Sequence, residues 1–191
     1  MIRRGFAARF AALLLCLPLA APAVTPTLRV EHYMIWGVTA RELRAQMDKY
    51  GPVGLNGIRA DGYTAWNIQW RFDYDRTRTT CTAIDIRVTV DLRMTMPRWI
   101  PPARATPALI ARWKRFETAL RRHEDGHVAI ATESGDEVLR VLHAKPGGRD
   151  CAEVGARLNA AGQAVLEESK RRQDRYDRDT DSGRKQGTTA L

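Results

Sequence analysis

The chain has 191 residues, 44% hydrophobic and 28% charged, enough for one packed domain and too few for two large ones. These proportions exclude a collagen-like, wholly disordered or polytopic membrane protein. The formal net charge of +9 invites a nucleic-acid reading, but part of it lies in a segment expected to be removed.

Residues 1–23 read as a secretory signal peptide. Arg3, Arg4 and Arg9 give a basic start, an apolar run extends from Phe10 to Leu19, and Ala21-Pro22-Ala23 is a small-x-small cleavage site. The run is shorter than the ~20 residues that cross a bilayer, so no stable membrane span is expected after cleavage. Cys16 follows the bulky Leu15, unlike a lipoprotein site, and is expected to leave with the leader. Removing three arginines and no acid takes the charge from +9 to +6, which weakens nucleic-acid binding as a function. The mature protein is expected to be periplasmic or secreted. Its two remaining cysteines, Cys81 and Cys151, then pair as a disulfide in an oxidising compartment.

Leu28 to Trp36 predicts a strand, and Thr39 with Glu42 predicts a capping box that opens a short helix, stopped by Gly51-Pro52. From Tyr63 to Tyr74, Trp66, Ile68, Trp70, Phe72 and Tyr74 alternate with polar residues. A turn at Arg76 to Thr80 leads to a second alternating run, from Ile84 through Ile86, Val88 and Val90 to Met96. The two runs predict a long antiparallel hairpin with one wet face. Thr106-Pro107 then offers an N-cap and a first-turn proline for a long amphipathic helix carrying Leu109, Trp113, Phe116, Leu120, His127 and Ile130 and ending near His143. After Pro146-Gly147-Gly148, Asp150 and Glu153 resemble a second capping box, and Val154, Leu158 and Val165 carry a last helix to about Arg172. Strands first and helices afterwards predict an α+β fold: a small antiparallel sheet with a long hairpin packed on helices. The expected organisation is a single domain over 24–175 and a charged, partly flexible segment over 176–191.

The long helix carries His123-Glu124-Asp125-Gly126-His127, an HExxH motif. The spacing places two imidazoles on one helix face, one turn apart, where both can ligate a single Zn²⁺. Glu124, next to the first ligand, is placed to act as general base on a zinc-bound water during hydrolysis of a peptide bond.

At this point the chain resembles the bacterial predicted secreted zinc-dependent proteases, also grouped as a domain of unknown function numbered 922. The resemblance spans nearly all of the mature chain. It is carried by Gly51-Pro52, Tyr63-Thr64-Ala65-Trp66 with Trp70, Cys81, Met96-Pro97-Arg98-Trp99, Trp113 before the HExxH, Cys151, and Tyr176-Asp177 with Thr180 and Gly183. It implies a zinc metallopeptidase with a zincin-like active-site helix and a peptide or protein substrate in the cell envelope or outside. The family pattern looks like Tyr-Asp-x-x-Thr-x-His-Gly, and Ser182 stands here in place of its His. If that His ligates zinc in relatives, the third ligand here must be another residue. Asp181 is the favoured substitute, with Glu153 and His143 as alternatives. A second reading, drawn from Ser182, is a non-catalytic, disulfide-stapled envelope binding protein that retains the metallopeptidase fold.

Overall fold

The alternating first half of the chain forms strands and the helically spaced second half forms two long helices. The structure, a computed structural model, describes residues 24–54, 57–189 and 191. The expected signal peptide and its cleavage point lie outside the described residues. Strand β1 (Thr27–Ile35) is followed by helix α1 (Ala40–Tyr50), then by β2 (Tyr63–Arg76) and β3 (Cys81–Trp99). Helix α2 (Pro107–Ala144), a two-residue strand β4 (Gly147–Gly148) and helix α3 (Cys151–Thr180) follow, and a 3-10 turn spans Arg184–Gln186.

The fold is α+β, with a four-stranded mixed sheet. Its main order is β1-β3-β2, and β4 pairs with the start of β3. The antiparallel β2–β3 hairpin forms as its alternation predicts, from Tyr63↔Thr95 to Arg76↔Cys81. The wholly antiparallel sheet expected from the sequence is corrected at β1, which runs parallel to β3, from Thr27↔Asp91 to Ile35↔Trp99. The hairpin inserts β3 between β1 and β2, so the chain between β1 and β2 connects two opposite edges of the sheet.

The apolar stripe of β3 also departs from simple alternation. The register slips between Arg71 and Asp73, opposite Asp85, whose φ of 49° is left-handed. A bulge changes which side of a strand its residues face. Before it Cys81 and Ala83 are buried; after it Val90, Leu92, Met94 and Met96 are buried, and Ile84 is left exposed. The core lies in two clusters. Ile68, Val90, Leu92, Ala131, Val138, Leu142, Val154 and Leu158 bind the hairpin to α2 and α3, whereas Ile35, Leu43, Met47, Trp99, Trp113 and Phe116 join α1 to the first half of α2.

The helix boundaries follow local chemistry. Thr39 and Glu42 make both limbs of a capping box, and Thr106 caps α2 with Pro107 in its first turn. Asp150 accepts from the Glu153 amide to begin α3. That helix runs to Thr180 rather than Arg172. Its extra turns were concealed by an arginine-rich composition, but Gln173, Tyr176, Asp177 and Thr180 continue the inward stripe of Val154, Leu158 and Ser169. The short 145–150 connection makes α2 and α3 antiparallel, with Ser134 bonded to Ser169 at 2.8 Å midway along them. No helix among the described residues is long and apolar enough to cross a membrane.

Cys81 and Cys151 form the disulfide expected of them, joining the start of β3 to the start of α3 across a separation of 70 residues. Closing a loop of that length restricts the unfolded chain by about 4 kcal/mol in the chain-entropy description. The Cys81→Ser/Cys151→Ser variant should therefore have a clearly lower urea midpoint than the oxidised protein. Equal midpoints would mean that the bridge adds nothing to stability.

Candidate metal centre

One turn of α2 brings His123 and His127 to the same face, and α3 is packed against that face. Their Nε2 atoms are 3.3 Å apart. Asp177, in the last turns of α3, places Oδ1 3.3 Å from His123 Nε2 and 3.1 Å from His127 Nε2. Among the described residues these three are the group of His, Cys, Asp or Glu side chains close enough to share an ion. The two imidazoles are nearly enclosed, with 7% and 12% of their side-chain surface exposed, whereas Asp177 is 45% exposed. Access to the group is therefore from the Asp177 side.

The outer contacts fix how the rings are presented. Gln173 donates its amide N–H to the His127 carbonyl at 3.1 Å, so its oxygen must be the atom facing His127 Nδ1 at 2.5 Å. An amide oxygen only accepts. His127 therefore carries its neutral-state proton on Nδ1 and leaves the Nε2 lone pair directed at Asp177. His123 Nδ1 lies 3.0 Å from Gln186 Oε1, and the Tyr176 ring stacks on His123 with centroids 5.2 Å apart and 13° between planes. Tyr176 can approach this closely because position 126 is glycine. A Cβ there would lie 2.1 Å from the Tyr176 hydroxyl oxygen.

Charge at the site follows from this crowding. Burial pushes the Asp177 carboxyl up, but the hydrogen bonds that His123 and His127 give it from Nε2 when their rings carry both protons outweigh it and hold the group well below the usual carboxylate range. Burial works against a charged His127, yet its bonds to Asp177 and Gln173 and the nearby Asp177 and Glu124 charges raise its pKa. The group thus attracts positive charge, whether a proton or a cation.

Glu124 points elsewhere from its neighbours in sequence. It is 2% exposed and accepts a 2.7 Å hydrogen bond from the Thr64 hydroxyl, at the start of β2. Burial raises its pKa; the Thr64 bond and the two histidines pull it back, and Asp177 adds to the rise. Gly62 makes room for it, since a Cβ there would be 2.9 Å from Glu124 Oε1.

The alternatives for a third ligand are corrected. Asp181 caps α3 in a left-handed conformation, and its two oxygens bind Arg184 at 2.8 and 2.5 Å. Glu153 is exposed in the first turn of α3, about 36 Å from Asp177 along the helix at 1.5 Å per residue. His143 is exposed near the end of α2, about 24 Å from His127 by the same measure. Ser182 is exposed in the turn after α3, its amide bonded to the Asp177 carbonyl. The sequence motifs alone do not single out Asp177, although Tyr176-Asp177 belongs to the family pattern. The available signal was the spacing of Ser169, Gln173 and Asp177, which keeps one helix face through a strongly charged stretch.

Gly126→Ala should destabilise the fold by about 1–3 kcal/mol through overpacking against Tyr176. In urea titrations the double variant with Tyr176→Ala should be less destabilised than the two single changes added together. Simple additivity would show that Tyr176 is not what position 126 accommodates.

Comparison with known proteins adds a family. A family model described as bacterial protein of unknown function (DUF922) matches residues 30–184, a span that includes every strand except the first residues of β1 and all three members of the His123–His127–Asp177 group. No curated protein and no solved structure matches the chain. The chain belongs to the DUF922 family of bacterial proteins of unknown function.

Proposed function

We propose that this protein is an exported zinc-dependent peptidase, with His123, His127 and Asp177 as metal ligands, Glu124 as general base and α2 as a zincin-like active-site helix. The observation that carries this reading is the mutual spacing of three donor atoms, 3.1 to 3.3 Å. Donors at ~2.0–2.1 Å from a tetrahedral zinc stand roughly 3.3–3.4 Å apart. Two nitrogens and one carboxylate oxygen suit zinc chemically, and three protein ligands with an open fourth position are typical of catalytic rather than structural sites.

When bound, Zn²⁺ would acidify water and polarise a scissile carbonyl. The chain's own part is proton handling. Glu124 is next in sequence to a ligand, enclosed beside Thr64, and its raised pKa brings a carboxylate closer to the neutral range in which general bases work best. It would take a proton from the attacking water and deliver it to the leaving amine. Asp177 is the exposed member of the group, so a peptide or protein substrate would approach from its side, and the leader sequence and Cys81–Cys151 bridge support action in the periplasm or outside the cell. The alternative, a non-catalytic binding protein, draws on Ser182; with Asp177 as the third ligand the site would not need a donor at position 182.

Purified wild-type protein should contain about one Zn²⁺ per chain, and both His127→Ala and Asp177→Ala should lose it. Metal analysis of the three proteins checks this; equal zinc in all would reject the ligand assignment. Affinity should also fall with falling pH, beginning above pH 6.5 because the metal-free His127 pKa is raised from that value and its protonation competes with the metal.

Glu124→Gln should keep zinc and lower peptidase turnover by ~10²- to 10⁴-fold, because an amide cannot accept the proton. Thr64→Val gives a finer test. The Thr64 hydrogen bond favours the charged carboxylate, so its loss raises the Glu124 pKa further, and the acid limb of the kcat/KM profile should move to higher pH. A profile that stays in place would remove Glu124 from the rate-determining proton transfer.

A further inference from the structure

The C-terminal turn reaches the metal centre at one point. Gly183, Gly187 and the left-handed Asp181 and Ser182 fold the chain back after α3, and the 3-10 turn presents Gln186 to His123. The orientation of that amide is determined by its second contact. Gln186 Nε2 donates to the Tyr176 hydroxyl at 3.0 Å, and this hydroxyl donates to the His123 carbonyl at 3.2 Å. The amide oxygen is therefore left to face His123 Nδ1, at 3.0 Å. Thr180 Oγ1 also faces Nδ1, at 3.4 Å, but its proton is directed to the Tyr176 carbonyl at 2.7 Å, so it too is an acceptor.

A neutral imidazole has one N–H and one lone pair, and a partner that fixes the N–H on one nitrogen frees the other to ligate. We infer that Gln186 is a positioning residue for His123: its amide oxygen holds the proton on Nδ1, so that the Nε2 lone pair joins those of His127 and Asp177. The C-terminal turn is then a working part of the metal centre and not a tail behind it. This inference rests on the zinc reading for its consequence, but the position of the proton is independent of that reading.

The contact is also the one by which the turn senses the site. Gln186 is bonded at once to a ligand's ring and, through Tyr176, to the same residue's carbonyl. Unseating the turn removes the nearer acceptor without touching a ligand and leaves Nδ1 only the longer Thr180 contact at 3.4 Å, and loss of such an outer partner costs ~10- to 100-fold in metal affinity.

The test compares wild type, Gln186→Leu and Gln186→Glu in two measurements. Zn²⁺ affinity is read by chelator competition, and the His123 tautomer is read from ring ¹⁵N shifts of the metal-free protein above the imidazole titration range. Wild type should hold Nδ1–H. Gln186→Leu should populate both tautomers and bind Zn²⁺ about 10- to 100-fold more weakly, and Gln186→Glu, which keeps an acceptor on Nδ1, should restore both. A general loss of packing would not be rescued by glutamate, and thermal melts of all three separate that case. If Gln186→Leu keeps the wild-type tautomer and affinity, the inference is overturned. If wild type binds no Zn²⁺, the metal reading fails, while the tautomer comparison still decides the role of Gln186.

Discussion

Three electron-pair donors are held within 3.3 Å of one another, an arrangement that is repulsive unless positive charge lies between them. No single element supplies it. Two histidines come from the middle of α2, the carboxylate comes from the end of α3, and the antiparallel docking of the helices sets the distance between them. The rest of the fold can be understood as the means of keeping that docking tight. The hairpin provides a flat apolar platform in Ile68, Val90 and Leu92, on which Ala131, Val138, Val154 and Leu158 seat both helices. Small residues allow the close approach: a Cβ at Gly135 would strike Val90, and one at Gly162 would strike the Trp70 ring.

The same motif residue set is divided between two environments. His123 and His127 face α3, where acceptors, a carboxylate and an aromatic ring surround them. Glu124, one residue on, turns to the start of β2 and meets a hydroxyl in a nearly closed space. A helix separates consecutive side chains by roughly 100°, so neighbours in sequence serve different walls of the site. His127 is made more basic by Asp177 and Gln173, and burial keeps Glu124 a weaker acid than a free carboxyl.

Legibility in the sequence varied with the kind of force that determines each feature. Alternation from Tyr63 to Tyr74 and the three- and four-residue spacing around Trp113 and Leu120 report burial directly, so the hairpin and α2 were visible. The capping residues Thr39, Thr106 and Asp150 act locally and marked helix starts well. The parallel placement of β1 was not legible, because pairing depends on where the whole hairpin inserts and leaves no periodic trace. Nor was the bulge at Asp85, a one-residue change in a continuous alternating run. The HExxH spacing brought the two histidines together on local helix geometry alone. Asp177 depended on the relative sliding of two helices, and its surroundings of Arg and Asp looked like a solvated surface.

Helix α3 begins at a covalent anchor and ends at the His123–His127–Asp177 group, so it acts as a ruler between them. Cys151 ties its first residue to β3, and Asp177 lies about 39 Å farther along the axis at 1.5 Å per residue. Inserting or deleting one residue between these points would turn the carboxylate by ~100° and shift it by ~1.5 Å. The anchored end prevents the helix from absorbing that error by sliding. Many of the outward Arg, Glu and Asp residues of α3 are thus open to exchange, whereas the number of residues from Cys151 to Asp177 is fixed by geometry.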